Sequence, residues 1–261
     1  NNDGASLISQ GSIEGAVTNY SGGEIENSGV GTISGAIDNQ EGAILTTTAG
    51  GLTGSNAALN NGTLNLTGSL EEGETSGTLT RSVSNSGSGT SVANIYGDVA
   101  VGDGATLAQE TIIVKEGNVL QAQNGSVINA VTTEVEGGAT LDLLGGSSVT
   151  TVDLTIGEDA TLALTDNAVL NTTNDVVLNG GHARFNAIEN DMTLDNANLT
   201  GDYDIVLNTE NDHVVTISSA ISGASAIQVT DNSNLSITDA ANIDLATVLQ
   251  MGSGSNLDID N

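Results

Sequence analysis

From residue 104 to residue 190 the chain aligns on itself with a shift of 21 residues, a period that only stacked-repeat architectures accommodate. Leu107, Ile128, Val149 and Leu170 fall in one column, and Val114, Val135, Ile156 and Val177 in a second. Leu120, Leu141, Leu162 and Ala183 make a third, and Ala122, Leu143, Leu164 and Phe185 a fourth. Two further columns hold turn residues: Gly104, Gly125, Gly146 and Asn167, then Gly117, Gly138, Asp159 and Gly180. Gly, Asn and Asp tolerate positive φ, so such columns mark recurring corners. After each corner a small residue is followed two places on by a large one: Ala105 by Leu107, Ser126 by Ile128, Ala139 by Leu141, Ala160 by Leu162. A spacing of two puts both on one face of a strand. Thr140, Asp142 and Thr161, lying between or beside them, then face solvent.

These columns predict a rung of three short strands, for example 105–107, 112–114 and 120–122, each paired with the same strand of the next rung. The expected fold is an all-β, right-handed parallel β-helix of about 12 rungs of 20–22 residues. At roughly 4.8 Å per rung, the rod is about 55–60 Å long. Near the start the period is 20: Gly11, Ile13, Gly15, Ala16, Val17 and Asn19 return as Gly31, Ile33, Gly35, Ala36, Ile37 and Asn39. Gly22, Gly42 and Gly62 continue that spacing. Near the end it is 22: Val215 with Ile237 and Ile259, Leu199 with Ile221 and Ile243, Ile205 with Ile227 and Leu249. One domain is expected over 1–261: rungs of about 20 over 1–69, an irregular rung or loop over 70–97, rungs of 21 over 98–190 and of about 22 over 191–261. The irregular stretch opens acidic at Glu71, Glu72 and Glu74, and Leu79, Val83, Val92 and Ile95 are its candidate core residues.

Composition narrows what such a rod can do. Asp and Glu number 33 against three Lys and Arg, giving a formal net charge of -30. With Arg81, Lys115 and Arg184 as its whole cationic complement, the chain cannot neutralise a run of phosphates, so nucleic acid is excluded as a partner. Anionic membrane surfaces repel it for the same reason, and no apolar run is long enough to insert into a bilayer as a helix. The absence of Cys removes disulfides and thiolate chemistry, and the absence of Pro suits strands that donate every backbone N–H. No initiating Met or signal peptide stands at Asn1, as expected of a mature or excised segment.

No catalytic, cofactor or metal residues are expected. His182 and Arg184 face outward on one strand, with Thr161 one rung below His182 and Asp142 two rungs below Arg184. That pattern reads as a solvated face, and His213 shows no evident partner. No set of nucleophile, base and orienting group can be built from these two histidines. Asp202, Tyr203 and Asp204, like Asp258, Ile259 and Asp260, offer at most weak surface calcium binding; neither a calcium-binding nonapeptide repeat nor an EF-hand loop is present. Thr46, Thr48, Thr140, Thr161, Thr172 and Thr173 do not form the single regular array that ice binding demands.

At the level of repeats the chain resembles the passenger regions of bacterial autotransporter adhesins and, more loosely, filamentous-haemagglutinin-type exoproteins. The likeness is carried by Gly-x-Ile-x-Gly-Ala at residues 11–16 and 31–36, Ala-Ile-Asp-Asn-Gln-Glu-Gly at 36–42, Asn-Asn-Gly-Thr-Leu-Asn-Leu-Thr-Gly at 60–68, and Gly-Ala-Thr-Leu at 104–107 and 138–141. This resemblance implies export to the bacterial surface and a role in adhesion, self-association or biofilm formation, with identical chains or a host or bacterial surface ligand as partner. The expected function is non-enzymatic: an adhesin stalk or self-associating fibre. The alternatives are a subunit stacking end to end into an extracellular filament or layer and, less favoured, a polysaccharide-active β-helix enzyme.

Overall fold

The computed structural model describes residues 4–70, 77–87, 90–238, 243 and 248–259. Among the described residues all strand pairings are parallel, and the strands stack into a β-solenoid of about eleven turns. The first of its three faces runs through Ser6–Ser9, Glu24–Asn27, Ile44–Thr48, Thr63–Thr67, Val92–Ile95, Thr111–Val114, Thr132–Val135 and Asp153–Ile156. The second includes Val99–Val101, Val119–Ala122, Thr140–Leu143 and Thr161–Thr165. The third includes Val17–Asn19, Ile37–Asn39 and Ala58–Asn60 and, higher up, Thr106–Ala108, Val127–Asn129 and Ser148–Thr151.

The strands are short because corners interrupt the alternation every few residues. In the regular middle of the rod two of the three corners of each rung are four-residue turns closed by a backbone hydrogen bond: Asn118 N–H to Lys115 O (3.0 Å), Ser126 N–H to Gln123 O (2.9 Å), Ala139 N–H to Glu136 O (3.0 Å). Gly117, Gly138, Asp159 and Gly180 all hold positive φ, as their column requires. Between corners the alternate residues point inward. Leu120, Leu141, Leu162 and Ala183 stack in register, as do Leu107, Ile128, Val149 and Leu170, all buried. Each buried Leu or Ile in such a column contributes roughly 1.5–3 kcal/mol of burial. Phe185, the only Phe, continues the column of Ala122, Leu143 and Leu164 towards Leu207 and Val229 and is fully buried.

Several positions depart from the period. Ile156 pairs with Leu178, and Val177 turns outward. The third-to-first corner gains a residue there and the next corner loses one, so two faces merge into the single strand Val176–Ala187, with a register shift between Asn179 and Gly181. Val215 pairs with Leu235; Ile237 instead stacks on Ile217 and under Ile259. The reason is a corner two residues shorter, because Leu207 pairs with Val229 but Val214 with Asn234. In the Asn167 corner the left-handed residue is Asp166 (φ 57°). Gly62 does not continue the left-handed corners of Gly22 and Gly42; it lies opposite Ala43, where a Cβ would come 2.4 Å from the Ala43 carbonyl oxygen.

The irregular stretch is a rung of the same stack with enlarged corners. Asn94 bonds to Asn65, 29 residues earlier, and the strands Thr63–Thr67 and Val92–Ile95 pair directly. Leu79, Val83 and Ile95 enter the core as expected, but Val92 faces outward and Ala93 takes the buried position. Gly77 N–H to Ser69 O (3.1 Å) closes one enlarged corner; Glu71, Glu72 and Glu74 lie outside the described residues.

Candidate functional surfaces

Parallel, in-register stacking brings each outward side chain against its equivalent one rung away, so the surface is a set of ladders. On the second face Gln121 Nε2–H donates to Asp142 Oδ2 (3.0 Å), and burial raises the Asp142 carboxyl above its ordinary range, partly offset by that bond. On the first face Asn94 donates to Asn65 (3.0 Å) and Asn65 to Thr46 (3.1 Å). Inside one corner runs a buried amide ladder: Asn19 Nδ2–H to Asn39 Oδ1 (2.8 Å), Asn39 to Asn60 (2.7 Å) and Asn60 to Gln109 Oε1 (2.6 Å). Its last step spans the corner of the enlarged rung.

Charges are paired across rungs in the same way. Lys115 Nζ meets Glu136 Oε1 at 2.7 Å, and that hydrogen bond holds the Glu136 carboxyl below its usual range. His182 does face outward beside Arg184, with Thr161 below it, but Nδ1 engages Asp204 of the rung above. His213 likewise has a partner, Asp191 Oδ1 at 3.3 Å, which also accepts the Val214 N–H (3.0 Å). Both partners stand 22 residues away, so the 22-residue spacing, applied to either histidine, is the signal that finds them. Arg184 is exposed, and none of the three ion pairs among the described residues includes it.

The acidic residues also serve the backbone. Buried Asp166 accepts three N–H groups on one oxygen: Ile188 (2.7 Å), Glu189 (2.9 Å) and Asn190 (3.2 Å). Asp98 accepts Val119 N–H (3.1 Å) and Asp231 accepts Ser253 N–H (2.7 Å), each one rung away. Part of the chain's negative charge is thus corner-capping chemistry. Among the described residues, buried Arg81 is held by four backbone carbonyls.

Among the described residues no group of three or more His, Asp or Glu side chains is placed to hold a metal ion. Asp202 and Asp204 project outward on either side of buried Tyr203, whose hydroxyl pKa burial raises. Thr46 and Thr48 lie on the first face, Thr140 and Thr161 on the second, and Thr172 on the third. The concavities are open grooves, one near the C-terminal end of the stack lined by Asn208, Gln228, Thr230, Asp231 and Gln250, another in its middle lined by Glu116, Gly138, Glu158 and Asp159. At the two described ends core-phase residues are uncovered: Leu7 is 42% exposed, Leu249 39%, Met251 40%, Leu257 38% and Ile259 57%. No family model matches the chain, and neither does any curated protein or solved structure.

Proposed function

We propose that the chain is a rigid, non-catalytic stalk of an exported bacterial surface protein, contributing to adhesion or self-association through its outward ladders. The observation that carries this reading is the continuity of the stack. Core columns and strand pairing run from Ser6–Ser9 to the last rung without a break, even through the enlarged rung. Continuous repetition transmits position along one axis and spreads side chains over long flat faces, which suits spacing and multivalent contact better than a reaction centre. The export and surface context rests on the repeat resemblance at residues 11–16, 31–36 and 60–68. Cells displaying the chain on an unrelated surface anchor should clump or adhere to abiotic or host-cell surfaces more than cells bearing the anchor alone. Unchanged adhesion, together with turnover of an acidic polysaccharide by the purified chain, would replace this reading with the enzymatic one.

A further inference from the structure

Arg81 lies where the second face turns into the third and is 3% exposed, in a chain whose other two cations reach solvent. Its Nη1 donates to the carbonyls of Ile33 (3.2 Å) and Thr53 (3.1 Å), and its Nη2 to those of Gly35 (2.9 Å) and Ala57 (2.7 Å). The four acceptors belong to two successive rungs beneath its own. Each nitrogen bridges those rungs, one acceptor from each. Two of the carbonyls are ladder members as well, since Ile33 O accepts Thr53 N–H (3.1 Å) and Ala57 O accepts Ile37 N–H (2.9 Å). No described ion pair supplies a carboxylate, and Nε has no acceptor. Among the described residues the charge is therefore balanced by carbonyl dipoles, in the manner of a cation cage. A planar guanidinium fits four acceptors set in two pairs, whereas an ammonium presents a single compact centre.

We propose that this corner is a guanidinium-recognition site filled by the protein's own Arg81, which fastens the enlarged rung to the two rungs below so that all three open as one unit. The site is intrinsic to the backbone of 33–35 and 53–57, so it persists when the side chain is removed and accepts a free cation of the same shape.

Hydrogen exchange read by mass spectrometry on the native chain, Arg81→Ala and Arg81→Lys tests this, each with and without millimolar methylguanidinium. In Arg81→Ala, exchange over 32–37, 52–58 and 78–83 should accelerate together by about a hundredfold, while 111–165 stays at the native rate. Methylguanidinium should restore most of that protection, equimolar ammonium or sodium should not, and the native chain should respond to none of them. Arg81→Lys should fall between the two and carries the test if Arg81→Ala does not fold. Acceleration confined to the neighbours of residue 81, native exchange in Arg81→Lys, or equal rescue by every salt would overturn the proposal.

Discussion

The rungs between Val99 and Thr165 and the enlarged rung between Thr63 and Ser91 solve the same problem by different means. In the first region every rung repeats its neighbour: a four-residue turn at each of two corners, a small residue after the turn and a Leu, Ile or Val two places on. Stability is distributed over many equivalent contacts, each replaceable by the next. In the second region the core columns survive through Leu64, Leu66, Leu79 and Val83, but the corners do not repeat. They are held by single side chains: Arg81 on four carbonyls, Gln109 on Asn60, Ser91 receiving Asn85 and the Glu110 N–H (2.9 Å). Repetition makes a solenoid tolerant, whereas an insertion concentrates the load on a few residues.

The comparison breaks most readily at Arg81. Arg81→Met should cost about 3–5 kcal/mol, since four charge-assisted bonds vanish and buried carbonyls lose partners; urea titration followed by circular dichroism measures it. A cost below about 1 kcal/mol would mean that the enlarged rung is held as diffusely as the regular ones. Next comes Leu141→Ala against Leu79→Ala. Leu141 sits in a four-residue strand between two like strands and should cost about 3–5 kcal/mol, whereas Leu79, in the two-residue strand Thr78–Leu79, should stay near about 2 kcal/mol because its surroundings can close in. Equal losses would erase the distinction. Asp166→Ala, which orphans three N–H groups at a corner, should cost about 2 kcal/mol, and Asp166→Asn, keeping an acceptor, much less.

The smallest effects separate two carboxylates by sign. Burial raises the pKa of Asp142, so its protonated form is the one the fold prefers. That contribution is present below the ordinary Asp value and lost as pH rises through the raised one. Asp142→Asn should therefore raise the melting temperature slightly at pH 7 and have no effect near pH 3. Glu136 is held low by Lys115, so its contribution is present above the ordinary Glu value and lost as pH falls through the depressed one. Glu136→Gln should lower the melting temperature slightly at pH 7, with no difference at the acid end. Shifts of the same sign in both variants would contradict this assignment.

The stack, its three strands per rung and most inward columns were legible because nearly all inward strand residues are aliphatic and recur once per rung, Thr133 between Ile112 and Leu154 being a polar exception. Errors fell where the period slips by one residue, at Val177, Gly62 and Asn167, or by two, at Val215, because corners can change length while the strands stay in register. The partners of His182 and His213 were hidden by the same slip: Asp204 and Asp191 are found only by a 22-residue step. Arg81 had no such signal. Its acceptors are backbone carbonyls, which leave no trace in side-chain identity, and they lie 24 to 48 residues earlier.

The claim on which the stalk rests is that the rod stays straight and rigid through its enlarged rung. Glu26, Thr46, Asn65, Asn94, Ile113, Glu134 and Thr155 form one outward column on the first face, and the enlarged rung falls in its middle. The chain has no native cysteine, so Glu26→Cys and Thr155→Cys can be spin-labelled as the only pair. Electron–electron double resonance should give one narrow distribution corresponding to about 29 Å between the two backbones, six rung spacings of roughly 4.8 Å. A broad or two-peaked distribution would show that the enlarged rung is a hinge and would contradict the rigid stalk.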